Sequence, residues 1–143
     1  MAKIVTWCVV LLYATINIQA QNKLCFEKNN HDLGQFQKGL VGEIPLKYTN
    51  YSKKTFEIVE ITSTNNAVRI RNDYESVIKP NETQTLYALA VGPEKSGAFT
   101  SVITIYYMNK KKKERREKYN NNLELIKKKA KKAMLNIKGT SFD

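Results

Sequence analysis

The densest group of chemically active side chains in this sequence is a basic run, KKKKERREK, at residues 110–118. Its cations could bind a lipid headgroup, an acidic polysaccharide or an acidic protein, because each basic residue near an anionic surface contributes about 1 kcal/mol. The alternative is a solvated loop that keeps the protein soluble. The candidate partner-binding residues are Lys110, Lys111, Lys112, Lys113, Arg115, Arg116 and Lys118.

Residue types that serve catalysis or metal binding are sparse. His31 is the only histidine, and Cys25 is the only cysteine outside the apolar N-terminal stretch, which contains Cys8. One histidine and one thiol cannot supply a four-ligand zinc site, and no phosphate loop or nucleophile motif is present. We therefore expect no enzyme activity, no cofactor and no metal, and Cys25 as a small buried residue at the start of a strand. An alternative from a different functional class is an enzyme or redox accessory that uses His31 or Cys25.

Two tripeptides, at 50–52 (NYS) and 81–83 (NET), match the pattern of an N-glycosylation acceptor. The pattern has meaning only in a eukaryotic secretory route. Both tripeptides also serve as ordinary turns, and the turn is the interpretation that we favour.

The positive charge is concentrated near one end of the chain. The net charge is +11, but residues 1–107 carry 11 basic and 9 acidic residues, whereas residues 108–143 carry 13 basic and 4 acidic residues. The excess therefore belongs to the C-terminal segment, which weakens an argument for nucleic-acid binding from the isoelectric point. Few aromatic residues interleave the basic run, so a platform for single-stranded nucleic acid is not expected.

The first 20 residues have the pattern of a secretory signal peptide. Lys3 precedes an almost wholly apolar run at 4–13, and Ala20 offers a small residue for cleavage before Gln21. The run is shorter than the roughly 20 residues of a membrane span, although an uncleaved anchor is the alternative. We expect an exported protein, in the periplasm or at the cell surface.

The strongest strand signal is FTSVITIYY at residues 99–107, which is rich in β-branched and aromatic residues. Because both faces are apolar enough to be covered, we expect this strand at the centre of a sheet. Further strands are predicted at about ten-residue spacing with turns between them, which is typical of an antiparallel sandwich. They lie at 24–27, 43–49, 55–63, 67–71, 74–78 and 83–91.

Finer features follow from the same patterns. Ile44, Leu46 and Tyr48 should face inward, and Pro45 should lie at a sheet edge or a bulge. The apolar register slips at Ile58 and Val59, which indicates a bulge or a doubly covered segment. The segments 31–34 and 38–39 are predicted to flank a polar connection.

The C-terminal region admits two interpretations. A stripe of apolar residues follows a helical spacing of three and four, and the segment 134–140 (MLNIKGT) also fits a strand. We favour a basic helix or ordered insertion over 113–131, followed by a closing strand. The stripe consists of Tyr119, Leu123, Ile126, Ala130, Ala133 and Ile137.

A further pattern is carried by Gly39 and by the segments 32–34, 46–50, 56–61, 78–82, 97–107 and 135–140. Their order resembles DUF1573, a family of exported bacterial Ig-like domains of unknown function related in shape to the Ig-like folds of major sperm protein and of ciliary ASH domains. The resemblance implies an Ig-like fold and export, but no mechanism. The Cys-Gly-Cys motif of many members is replaced by 63–67 (STNNA), and the basic insertion at 109–131 is longer than the usual hairpin.

The sequence thus predicts an all-β, Ig-like antiparallel β-sandwich with a basic, helical insertion before its last strand. Its predicted parts are a signal peptide (1–20), the sandwich (21–108), the insertion (109–131) and a closing strand with the C-terminus (132–143). We expect a non-catalytic module that binds a protein or has a structural role. The alternative is binding of anionic lipid or acidic polysaccharide through 110–132. Neither nucleic acid nor a small-molecule substrate is expected.

Overall fold

The fold was analysed in a computed structural model that describes residues 23–91, 93, 95–119 and 122–143. The predicted signal peptide lies outside the described residues. In chain order the elements are β1 (Leu24–Phe26), β2 (Asn30–Gln37), β3 (Gly42–Asn50), β4 (Phe56–Ser63), β5 (Val68–Ile70), β6 (Val77–Ile78), β7 (Thr83–Ala90), β8 (Gly97–Asn109), α1 (Lys110–Tyr119), α2 (Leu123–Lys128) and β9 (Lys131–Phe142).

The strands form two sheets that enclose one apolar core. One sheet has the order β1-β3-β7-β5, and the other has the order β2-β9-β8-β4-β6. Long-range antiparallel pairing and two covered inner faces define an Ig-like β-sandwich, as the sequence predicts. The strand β8 is the third of five, so its predicted central position is confirmed.

Alternation of side chains along β8 explains this central position. Ile103, Ile105 and Tyr107 are buried on the core side. Thr104 and Met108 on the opposite face are also buried, so both faces of this segment are covered. Each fully buried aliphatic side chain of this kind stabilises the fold by about 1.5–3 kcal/mol.

Local irregularities in β3 and β4 agree with the sequence. Ile44, Leu46 and Tyr48 are buried on one face of β3, and the strand β1 ends before it reaches Pro45, which leaves an open edge there. The register between β4 and β8 shifts between Ile58 and Glu60, which is the predicted bulge.

The prediction of a polar connection between 31–34 and 38–39 is wrong. Residues 30–37 form β2, an edge strand that runs parallel to β9. Its two-residue period is hidden because Leu33 and Phe36 are only partly buried and the register shifts between Asp32 and Gln35. Gly34 occupies a positive φ of 66° at this irregularity, a conformation that glycine adopts without strain.

Three smaller expectations also need correction. The helical stripe does not form one helix, because α2 ends at Lys128 and β9 begins at Lys131, where Ala133 and Ile137 enter the core by strand alternation. The predicted strand at 74–78 is reduced to β6. Cys25 is only partly buried, because it points away from the core-facing side chains of its neighbours in β1.

Candidate anion-binding insertion

The basic run forms a helix rather than a loop. Lysine, arginine and glutamate are good helix formers, and α1 follows β8 directly, with the amide of Lys110 donating to the carbonyl of Thr55 at 3.1 Å. The helix α2 is capped by Asn122, whose side-chain oxygen accepts from the amides of Glu124 (3.1 Å) and Leu125 (3.3 Å). This N-cap satisfies amides that a helix start leaves without partners.

One stripe of α1 is fixed to the sandwich by Lys113. Its ammonium contacts carboxylate oxygens of Glu57 on β4 (2.6 Å) and of Glu117 one helical turn later (2.8 Å). The side chains of Lys113 and Glu57 are only 15% and 17% exposed. Burial lowers the pKa of Lys113, but the hydrogen bonds to Glu117 and Glu57 more than compensate, so that its pKa is raised.

The helix α2 is fixed by one apolar and one ionic contact. Ile126 is its buried residue, and Lys127 forms an ion pair with Glu60 on β4. The hydrogen bond to Glu60 raises the pKa of Lys127. The ammonium of Lys127 also lies 4.8 Å from the ring centroid of Tyr106, within the range of a cation–π interaction. The insertion is therefore docked against β4 and β8.

A second stripe of α1 lines a pocket at the foot of the insertion. The cavity has a volume of about 360 Å³, and its floor includes the buried side chains of Phe56 and Met108. Five basic side chains from three segments surround it. They are Lys54, Lys112, Arg116, Lys129 and Lys131.

The opposite wall of this pocket is fixed by a buried asparagine. The side-chain amide of Asn50 donates to the carbonyls of Lys54 (2.8 Å), Ile78 (3.1 Å) and Lys79 (3.0 Å). Its side-chain oxygen accepts from the amide (3.0 Å) and the hydroxyl (2.7 Å) of Ser52. The turn at 50–54 is therefore held by hydrogen bonds that are shielded from water.

The third stripe of α1 faces solvent. Lys111, Arg115 and Lys118 are spaced by four and three residues and are exposed, so they share one side of the helix. The seven predicted residues are thus divided: Lys113 docks the helix, and Lys112 and Arg116 line the pocket. Lys110 starts the helix and is partly buried.

The sequence did not predict that Lys54, Lys129 and Lys131 line one pocket. Their only local signal is membership of short lysine clusters at 53–54 and 127–132. Nothing in the sequence shows that a turn after β3 meets an insertion after β8, because that contact depends on the whole sandwich.

The other candidate residues are not assembled into a chemical site. His31 is partly buried and lines a cavity of about 110 Å³ with residues that include Phe26 and Leu135. Within the described residues, no group of three His, Cys, Asp or Glu side chains could hold a metal ion. The expectation that neither His31 nor Cys25 is catalytic stays a prediction.

The two glycosylation patterns occupy different environments. Asn50 is fully buried and its amide is engaged by three carbonyls, so in the folded protein it serves the turn rather than a glycan. Asn81 is exposed, has a positive φ of 59° and follows Pro80 in a turn closed by the amide of Glu82 donating to the carbonyl of Lys79. Both tripeptides form turns, as the sequence predicts.

The fold and the docked helices define an Ig-like β-sandwich with a basic helical insertion before its last strand. Comparison with solved structures agrees with this class. An ASH/PapD-like domain of human CEP192 is similar over 90% of this chain and 92% of its own, with a TM-score of 0.61 and 11% identity. The C. elegans major sperm protein family member WR4 has a TM-score of 0.53 and 14% identity, over 85% of this chain and 99% of its own.

Similar domains also occur within other proteins. The periplasmic chaperone SfaE matches over 85% of this chain and 59% of its own, with a TM-score of 0.52 and 10% identity. The Vibrio cholerae VesB protease matches over 83% of this chain but only 32% of its own, with a TM-score of 0.60 and 11% identity. At these identities the similarity shows the fold alone. No family model and no curated protein matches the chain.

Among the described residues, no helix is both long enough and apolar enough to cross a membrane.

Proposed function

We propose that this protein is a non-catalytic Ig-like interaction module whose basic insertion binds an acidic surface of a protein partner. The observation that carries the proposal is the division of α1 into a docked stripe and a solvent-facing stripe. Lys113 is neutralised by Glu57 and Glu117, whereas Lys111 and Arg115 point away from the sandwich and have no ionic partner within the described part of the chain.

Docking makes these exposed cations useful for recognition. A basic loop would lose conformational entropy when it binds, whereas the helix α1, fixed at Thr55 and Glu57, presents its charges in a set geometry. The neighbouring helix α2 exposes Leu123 (51%) and Leu125 (44%). Exposed leucines beside basic residues are suited to a protein interface with an apolar centre and a charged rim.

The second candidate is binding to an anionic surface, either lipid headgroups or acidic polysaccharide, through 110–132. The observation that favours it is the spread of basic side chains over both helices and the start of β9 rather than at one point. Each basic residue close to an anionic lipid surface contributes about 1 kcal/mol. A third possibility within the same class is pairing through a sheet edge, with the insertion as a solvated projection.

Export and the resemblance to DUF1573 belong to this proposal as well. The apolar stretch after Lys3 supports export to the periplasm or the cell surface, where the partner would be found. The Ig-like fold supports the family resemblance, because DUF1573 members are Ig-like domains.

The test is capture of a partner from the envelope fraction of the source organism by the purified protein, at low and high salt. The double variant K111Q/R115Q removes two charges of the outer stripe, and glutamine retains helix propensity. The matched control K47Q/K79Q removes two exposed lysines of the sandwich. We expect an acidic protein that high salt and K111Q/R115Q release and the control retains. After purification, that acidic protein should bind with the same dependence on salt and on the K111Q/R115Q substitutions.

Other outcomes would redirect the proposal. A partner that survives both high salt and K111Q/R115Q would place recognition on the sandwich, because sheet-edge pairing weakens little with salt. Salt-dependent binding to phosphatidylserine vesicles or an acidic polysaccharide, without any protein partner, would favour the second candidate.

A further inference from the structure

The pocket between the 52–56 segment, α1 and the start of β9 is lined mostly by basic side chains. Of its nine lining residues five are basic, two are apolar, and two, Ser52 and Asn109, are neutral and polar. None of the nine is acidic. Like charges around one cavity of about 360 Å³ repel one another, and an anion in the cavity would offset that repulsion.

Two lysines close to the pocket are paired with carboxylates, unlike most of the cations that line it. Lys113 directly follows the pocket residue Lys112, and Glu57 neutralises it. Lys127 lies four residues before the pocket residue Lys131, and Glu60 neutralises it. Four pocket cations have no such carboxylate within the part of the chain that the structure describes. They are Lys54, Lys112, Arg116 and Lys129.

The walls of the pocket are fixed before any ligand arrives. The carbonyl of Lys54 accepts from the side chains of both Asn50 (2.8 Å) and Ser52 (3.0 Å), which holds the first wall. The bond from the Lys110 amide to Thr55 fixes the start of α1, and the amide of Lys129 donates to the carbonyl of Ile126 at 3.1 Å. The cations therefore extend from anchored backbone, which reduces the entropic cost of closing on a ligand.

The floor favours a compact, multiply charged group. Phe56 and Met108 are buried, so an anion above them would be partly shielded from water, where charge-assisted hydrogen bonds strengthen. The guanidinium of Arg116 matches the paired oxygens of phosphate or sulfate, and lysine ammonium groups supply further donors. A single carboxylate would compensate fewer of the four unpaired cations.

We propose that this pocket is a binding site for a phosphoryl or sulfate group, carried by a soluble ester or by a lipid headgroup. Lys54, Lys112, Arg116 and Lys129 contact the oxyanion, and Asn109 lies beside it. The site is separate from the outer stripe of α1, so the inference goes beyond the proposed protein partner and can fail independently of it.

The test is an NMR titration of the isotope-labelled protein with inorganic phosphate, sulfate and acetate at pH 7.5 and low chloride. Two double variants are compared: K54Q/R116Q removes two pocket charges, and K111Q/R115Q removes two charges of the outer stripe. We expect phosphate and sulfate to shift the amides of Ser52 and Asn109, with at least tenfold weaker binding in K54Q/R116Q and less than a twofold change in K111Q/R115Q. Acetate should bind at least tenfold more weakly than phosphate.

Stability measurements keep the test independent of folding. K54Q/R116Q should melt at or above the wild-type temperature without ligand, because like-charge repulsion is reduced, and should lose the increase in melting temperature that phosphate gives the wild type. Equal weakening by both double variants, or no binding of phosphate and sulfate to the wild type, would overturn the proposal.

A vesicle arm distinguishes the two sources of the group. Vesicles containing phosphatidic acid present a phosphomonoester, whereas phosphatidylserine presents a phosphodiester and a carboxylate. Binding to phosphatidic acid that K54Q/R116Q abolishes would assign a lipid source, and binding of soluble phosphate alone would assign a soluble ester. Vesicle binding that only K111Q/R115Q weakens would count against the pocket.

Discussion

The two walls of the basic pocket are held by different kinds of interaction. The wall at 50–54 depends on neutral hydrogen bonds of Asn50, which is fully buried. The wall formed by α1 and α2 depends on the ion pairs of Lys113 and Lys127 at the edge of the sandwich, together with Ile126.

The comparison shows how one sandwich combines a rigid frame with a weaker functional attachment. Buried neutral hydrogen bonds are little affected by salt and pH, and leaving one of their groups unsatisfied costs about 1–3 kcal/mol. Partly exposed ion pairs contribute about 1 kcal/mol or less and weaken as salt screens them. The proposed binding residues of α1 therefore lie on the wall that responds to solution conditions.

The largest loss of stability should follow a substitution in the wall at 50–54. Asn50→Ala removes the side-chain hydrogen bonds to the carbonyls of Lys54 and Ile78 and from the amide of Ser52, so we expect a loss of about 3 kcal/mol in the free energy of unfolding. Urea unfolding measures this loss. The exposed Asn72→Ala should change stability by less than about 0.5 kcal/mol. Equal, small effects of both substitutions would show that the network does not hold the turn.

The apolar anchor of the other wall should have the next largest effect. Ile126→Ala removes the buried contact of α2, and a buried Ile→Ala change costs about 2–5 kcal/mol where the site cannot collapse. We expect the result to be local: faster trypsin cleavage within 110–131, with the sandwich still folded. Leu125→Ala, at an exposed neighbouring position, should leave the cleavage rate unchanged.

The ionic anchor should have a smaller, salt-dependent effect. Glu57→Gln removes the charge that faces Lys113 and should weaken docking of α1 by about 1 kcal/mol at low salt. The difference from wild type should shrink at about 0.5 M salt, because salt partly screens a charge pair at the edge of the sandwich. Trypsin cleavage at both salt concentrations measures it, with the exposed Glu75→Gln as the control. A difference independent of salt would identify packing rather than charge as the cause.

The smallest effect should be the response to high pH. Because the pKa of Lys113 is raised in the folded protein, its stabilising contribution is fully present below the ordinary lysine pKa and is lost as the pH rises through the folded pKa. The pKa of Lys127 is raised in the same direction. Helical ellipticity should therefore fall at alkaline pH, and Glu57→Gln should reduce that change. An identical alkaline profile in the variant would exclude Lys113 as the titrating group.

The sequence was most informative where periodicity was long and regular. The run at 99–107 predicts the central strand because its β-branched and aromatic residues alternate between two covered faces. The slip at Ile58 and Val59 predicts the bulge because one extra residue reverses the apolar face. The insertion was recognised from its charge, since no other segment contains so many consecutive cations.

The missed features depend on contacts between distant residues. The strand β2 shows little alternation because it is an edge strand with a register shift. At 126–137 the positions of Ala133 and Ile137 fit both a helix and a strand. The pocket could not be predicted because only the fold places Lys54 and Arg116 in the lining of one cavity.

The most direct test of the central claim is amide hydrogen exchange of α1 in the purified protein at low salt. A helix docked through Lys113 should show protected amides at 114–119, and Glu57→Gln should lower that protection while the amides of β8 remain unchanged. Exchange of these α1 amides at the rate of an unstructured peptide would contradict the account. The basic run would then be a solvated loop, and neither a fixed pocket wall nor a defined outer stripe would exist.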